Sequence, residues 1–219
     1  MRKAAFFIDG FNLYHSLDTR KDFRKYKWLD LWRFSKLILL PNEELADVYY
    51  FTAYTDWNPD RKKRHQVYVL MNESVGCKVV LGKFLKKDRT SMVKCNKPCR
   101  SGREEFCKKK FTSHEEKMTD VNIAVNIVKA AAMQTYESIY LLSGDNDLRP
   151  ALETAREISP SLRIRVVLPI NAQAKTLMDF CKEHSFKYIR IKQKALSDAR
   201  FSDPFTVGDT PYSKPAHWN

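Results

Sequence analysis

No stretch of this chain approaches the ~20 consecutive apolar residues of a membrane-spanning helix. The opening MRKAAFFIDG sets basic residues before an apolar run, but Asp9 interrupts that run after Ile8. It falls short of the about 7–15 apolar residues of a secretion signal. Both absences favour a soluble cytoplasmic protein. Cysteines number five, an odd count that closes no set of disulfides, so they read as reduced thiols or metal ligands. No internal repeat is visible. Acidic residues are the scarcer charge, 26 against 39 basic ones, and the net charge of +13 points to nucleic acid or an acidic surface without choosing between them.

What the chain does have is a globular composition, 43% hydrophobic and 12% aromatic over 219 residues, enough for one medium domain with a three-layer core. Short apolar or β-branched runs at 4–8, 48–54, 77–85, 138–142, 162–168 and 186–191 read as strands. Helical patterns lie between them: from about 12, at 29–40, 60–74, 118–134, 147–157 and 173–184. In the fourth of these, Val121, Ala124, Val125, Val128, Ala131 and Ala132 recur at helical spacing. Strands alternating with helix-sized crossovers predict an α/β fold, a doubly wound, mostly parallel sheet with helices on both faces. Residues 86–114 lose periodicity and read as a hairpin or loop excursion, within a domain spanning 1–195. Residues 196–219, carrying Pro204, Pro211 and Pro215, read as an irregular, mobile tail.

Four aspartates fall at special points of this pattern. FFIDGFN (6–12) ends the first strand with Asp9, and YLLSGDNDLRP (140–150) follows the fourth with Asp145 and Asp147. EEKMTDVNIAVN (115–126) opens a helix with Asp120. In open α/β sheets sites form beyond the carboxyl ends of the strands, and a crossover helix returns its N-terminus to that same edge. Each acid also has an ordinary reading: a turn, a helix cap, a macrodipole partner. All three motifs at one edge favour a shared site, and clustered carboxylates repel unless a cation joins them.

Together these motifs, FFIDGFNLY, EEKMTDVNIAVN and LLSGDNDLRPAL, resemble the NYN domain family of the PIN-like nucleases, in particular its bacterial LabA-like (DUF88) branch, from about residue 4 to 191. The resemblance implies a metal-dependent endoribonuclease with RNA as partner and Mg²⁺ or Mn²⁺ as cofactor. It assigns Asp9, Asp120 and Asp145 as principal ligands and Asp147 as a fourth acid. Asn12 would orient a ligand, water or phosphate oxygen, and Ser143 would shape the loop before Asp145 and take part in binding substrate. Asn126 departs from the family pattern, which places another acid there. An amide can still hold a water or a substrate atom, but it weakens the case for a second metal.

No histidine lies in the acid motifs, which disfavours a paired-histidine ribonuclease and favours metal-activated water, leaving a 5′-phosphate and a 3′-hydroxyl. His15, nearest in sequence, reads as a helix residue contacting substrate or solvent rather than a general base. An Asp-x-Asp pair after the first strand is also missing, which disfavours a small-substrate phosphohydrolase. An RNA-binding module without turnover is the other alternative.

Residues 77–110 hold twelve basic and three acidic residues, so 12 minus 3, or +9, of the total charge is local. Lys83, Lys86, Lys87, Arg89 and Lys94 would grip phosphates beside the acids, unless the segment is merely a solvated loop. Within it, Cys95, Cys99, Cys107 and His114 have the ligand types of a structural Zn²⁺ site, although unliganded thiols are equally compatible with the spacing. Cys77 and Cys181 read as core residues. Trp57, just past a strand end, is placed to stack an unpaired base, and Trp28 reads as a core anchor. Nothing in the sequence chooses between a monomer and a homodimer.

Overall fold

The apolar N-terminal run forms β1 (Arg2–Asp9), whose alternate residues feed two different cores. Ala4, Phe6 and Ile8 face one, and Ala5 and Phe7 the other. A strand buried on both sides is a central strand of a parallel sheet. The computed structural model describes residues 1–94, 106–170 and 174–218.

After β1 come α1 (Gly10–Asp18), α2 (Leu31–Ile38), β2 (Glu43–Thr52), α3 (Pro59–Ser74) and β3 (Lys78–Leu81). A long hairpin follows, β4 (Lys83–Lys94) and β5 (Phe106–Lys117), then α4 (Thr119–Ala132), β6 (Ser138–Leu142), α5 (Arg149–Ile158), β7 (Arg163–Leu168), α6 (Lys175–Glu183) and β8 (Lys187–Arg190). The chain closes with α7 (Gln193–Asp198) and a small pair, β9 (Phe205–Val207) and β10 (Thr210–Tyr212). The main sheet has six strands in the order β3-β2-β1-β6-β7-β8, all neighbours parallel. Strand order reverses about β1, so the β1/β6 boundary is the switch point where such sheets open a crevice. Leu13, Leu31, Phe34 and Met71 from α1, α2 and α3 cover one face, while Ile123, Leu152 and Phe180 from α4, α5 and α6 cover the other.

The six expected strands are all present, but three details differ. The run at 77–85 breaks at Gly82, where the chain leaves the sheet for the hairpin. A Cβ on Gly82 would sit 2.6 Å from Thr119 Oγ1 and 2.8 Å from the Lys117 carbonyl, so only glycine lets the hairpin base pass the start of α4. On α4 the buried stripe is Ile123, Ile127, Ala130 and Ala131, whereas Val121 (63%) and Val125 (57%) are exposed. That helix is apolar around more than one face, so spacing alone could not choose the inward one.

In the segment 196–219, expected to be an irregular tail, the described residues 196–218 instead dock against the body. Asp30 N–H donates to the Ala199 carbonyl, Phe201 N–H to the Trp28 carbonyl, and the Trp28 indole to the Ser202 carbonyl. Phe201 and Trp218 are buried against Trp28. Isolated aromatic anchors on short elements leave no periodic signature.

At the amino edge of the sheet Glu43 is buried among three partners. Its carboxylate accepts from Ser138 Oγ (2.6 Å) and the Tyr140 hydroxyl. Arg165 Nη1 lies 2.8 Å away, and its guanidinium also covers the Tyr140 ring. Among the described residues Arg165 Nε has no partner and Glu43 is the one carboxylate paired with it, so this cation depends on Glu43 for its charge balance. Glu43→Ala should therefore cost about 3–5 kcal/mol in urea unfolding, and adding Arg165→Met should recover part of it.

Candidate active site

Asp9 is the last residue of β1, and it N-caps α1: its Oδ1 accepts the Asn12 N–H at 2.9 Å. Its Oδ2 accepts from Ser143 Oγ at 2.9 Å. Ser143 follows β6, the in-register neighbour of β1, and its hydroxyl oxygen in turn accepts the Asp145 N–H at 3.0 Å. Asn12 Oδ1 takes the Gly144 N–H at 3.0 Å, and Asp145 Oδ1 takes the Asp147 N–H at 2.9 Å. The two strand ends are thus stitched together by side chains, and the donors that meet Asp9 offset part of the cost of burying it at only 3% exposure.

Asp120 arrives in the first turn of α4, as the crossover geometry requires. Met118 precedes the helix with φ of 78°, a left-handed turn that swings the chain out of β5. Glu116 Oε1 then accepts the Thr119 N–H at 3.1 Å and caps the helix. Although its side chain still reaches solvent, partial desolvation by the surrounding protein is the larger reason that the Asp120 carboxyl is pushed up to about 6; the charges of Asp9, Asp145, Glu116 and Asp147 add to it. Burial likewise raises Asp9, against the pull of its Asn12 and Ser143 hydrogen bonds, and Asp145 adds a smaller push. Five carboxylates therefore share one field. Glu116 was not singled out from the sequence, although the EEK of its motif was the available signal.

Among the described residues no three acidic, histidine or cysteine side chains stand close enough together to grip one ion directly. Mutual repulsion keeps uncompensated carboxylates apart, and Mg²⁺ retains several waters while taking few direct protein ligands. The hydrogen-bonded acids offer hard oxygen donors only. That donor set fits Mg²⁺ or Mn²⁺.

Several other expectations shift. Ser143 is fully buried, so it positions Asp9 and the Asp145 loop rather than touching substrate. Asn126 lies six residues along α4 from Asp120, about 9 Å of rise, and its amide donates to the Asn122 carbonyl at 2.8 Å. No hydrogen bond joins it to the acids among the described residues. The hairpin's alternation divides its cations: Lys86 pairs with His114 on the face shared by Phe84 and Glu116, while Lys83, Lys87 and Arg89 lie on the other. On that other face Lys87 and Arg89 are ion-paired with Glu115. The side chain of Lys94 lies outside the described residues.

The zinc proposal does not survive as a four-ligand set. Cys107 and His114 occupy one strand seven residues apart, roughly 24 Å, and His114 is stacked on Trp57 at 3.7 Å. Cys95 and Cys99 lie outside the described residues. Trp57 therefore has one face already covered, and Phe84 meets it edge-on at 4.8 Å. Cys77, Cys181 and Trp28 are core residues as expected.

A carboxyl whose folded pKa lies above its ordinary 3.8 favours the protonated fold, so its ionisation removes stability as pH rises from about 4 through 6. In EDTA, Asp120→Asn should melt at a higher temperature than the parent at pH 8, with a smaller gap at pH 4.5. Mg²⁺ at pH 8 should narrow the gap. A gap independent of pH would contradict the shared field.

A protein of unknown function from Vibrio parahaemolyticus has a similar fold, with a TM-score of 0.54 at 17% identity over 88% of this chain and 94% of that one. No curated protein is a significant match in sequence. The NYN domain description matches residues 3–192, from β1 through β8 with all four aspartates inside, and the chain belongs to the NYN domain family.

Proposed function

We propose that the protein is a metal-dependent endoribonuclease that hydrolyses RNA phosphodiester bonds at the β1/β6 edge. The observation that carries this reading is the relay from Asp9 through Ser143 to the Asp145 loop, with Asp120 brought alongside by α4. Membership of the NYN domain family supports a nuclease, and a chain of net charge +13 suits a polyanion better than a small phosphoester.

Asp9, Asp120, Asp145 and Asp147 would hold Mg²⁺ or Mn²⁺, which supplies phosphate neutralisation and acidifies a water for attack. The chain's own side chains divide the remaining work. Asp9, nearly dry and fixed at both oxygens, is the rigid member of the set. Asp147 and Asp120 are exposed and meet the incoming strand and its water first. Asn12, its carbonyl spent on Gly144 and its side chain also hydrogen-bonded to Asp9, would hold the two strand ends in place beside the phosphate. Ser143 acts only through the groups it orients.

Labelled single-stranded RNA, duplex RNA and DNA, incubated with the full chain and Mg²⁺, Mn²⁺ or EDTA, test this. Cleavage should require metal, leave 5′-phosphates and vanish in Asp145→Asn. Ser143→Ala should lose roughly 10–100-fold in activity or metal affinity, the usual cost of removing a group that orients a ligand. Activity that persists in EDTA and in Asp145→Asn, or products ending in 2′,3′-cyclic phosphate, would sink the proposal.

A further inference from the structure

Next to the acids, a cavity of about 400 Å³ opens between α1, the end of β2, α3, the hairpin base and the C-terminal turn. Its volume lies within the ~300–1,000 Å³ of small-ligand pockets. We infer that it binds one unpaired nucleotide of the RNA strand, base inside and phosphate at the mouth, so that the neighbouring phosphodiester lies over the aspartates. This rests on the ribonuclease reading above and adds to it a recognition site.

The lining has the three components such a ligand needs. Tyr14, Trp57 and Phe84 supply aromatic walls for a planar base. Polar groups line it too: His65 Nε2 lies 3.1 Å from Thr52 Oγ1, and the buried Thr55 hydroxyl has no partner among the described residues. A mere packing void would be apolar. Burial, and after it the Arg61 charge, pushes His65 down to about 4, so at neutral pH the ring is uncharged, and with Nε2 shared with Thr52 it is Nδ1 that is left to meet an uncharged base. Cations come third. Arg61 and Arg64 line the cavity, and neither is in an ion pair among the described residues. Lys27, by contrast, is buried on Asp18 at 2.5 Å and serves the fold.

Continuity with the acids is built into shared residues. Glu116 lines the cavity and adds its charge to the field on Asp120. Gly10 lines it directly after Asp9, and Tyr50 in its wall feels the Asp9 charge. The C-terminal turn contributes His217 and Trp218. A strand whose base enters here has its backbone within one residue's breadth of Asp9.

The test uses the full chain in EDTA, titrated with each of the four nucleoside 5′-monophosphates and followed by calorimetry. At least one should bind saturably with one site per chain. Trp57→Ala, at a ring already 42% exposed, should fold normally by circular dichroism and weaken binding by roughly fivefold or more, the effect of losing one aromatic wall. The double variant Arg61→Ala/Arg64→Ala should weaken the monophosphate more than the corresponding free nucleoside, and Asp145→Asn should bind at least as well as the parent. Absence of saturable binding by all four, or binding indifferent to both sets of variants, would overturn the inference even if RNA is cleaved. Mononucleotide binding with no RNA cleavage would uphold the pocket and remove the nuclease reading.

Discussion

A carboxylate with almost no access to water must be met by donors, and the way Asp9 is met organises this edge of the molecule. One oxygen is taken by the N–H of Asn12 in the first turn of α1, and the other by the hydroxyl of Ser143 after the neighbouring strand. Because Ser143 also receives the Asp145 N–H, fixing Asp9 fixes the loop that carries the next two acids. Parallel pairing of β1 with β6 is what makes the relay short, since Ile8 stands opposite Leu142 and the two chains leave the sheet side by side. Each hydrogen bond to an ionised group contributes about 1.5–3 kcal/mol, which offsets part of the cost of drying Asp9.

The sheet's two edges treat buried charge differently. At the amino edge Glu43 meets Arg165 as a closed pair, with Ser138 and Tyr140 completing it. Opposite charges there need nothing further. At the carboxyl edge the acids meet one another and neutral donors among the described residues, and desolvation, with repulsion added to it, raises Asp120. The same sheet therefore holds one cluster in which opposite charges meet and one of like charges, and only the second lies where a strand-order reversal opens the surface.

Much of this edge was legible in sequence because it follows from periodicity and topology. Apolar runs placed the strands, crossover lengths implied parallel pairing, and that pairing alone brought Asp9, Asp145 and the start of α4 together. What could not be read depended on knowledge that periodicity does not carry. Lys83, Lys87 and Arg89 were grouped with Lys86, yet the β4/β5 register sets them on opposite faces. Val121 and Val125 fit the α4 pattern as well as Ile123 and Ile127, and only packing against the sheet separates them. The C-terminal segment hid its role because single aromatics, Phe201 and Trp218, dock it. The helical pattern of 60–74 does not show that Arg61 and Arg64 line a cavity, because that cavity is closed by the hairpin and α1, which are distant in sequence.

Gly10 joins these observations physically. A Cβ there would lie 2.6 Å from the Phe51 carbonyl and 2.6 Å from the Tyr50 ring, so no other residue allows α1 to start this close to β2. A larger residue would push α1 away, moving the Asn12 N–H from Asp9 and the Tyr14 wall from the cavity together. The Asp-Gly step, which in sequence could pass for an ordinary turn, is thus required by close approach rather than by backbone twist. It is the point at which the acid cluster and the aromatic cavity become one surface, with a single residue between the buried carboxylate and the cavity wall.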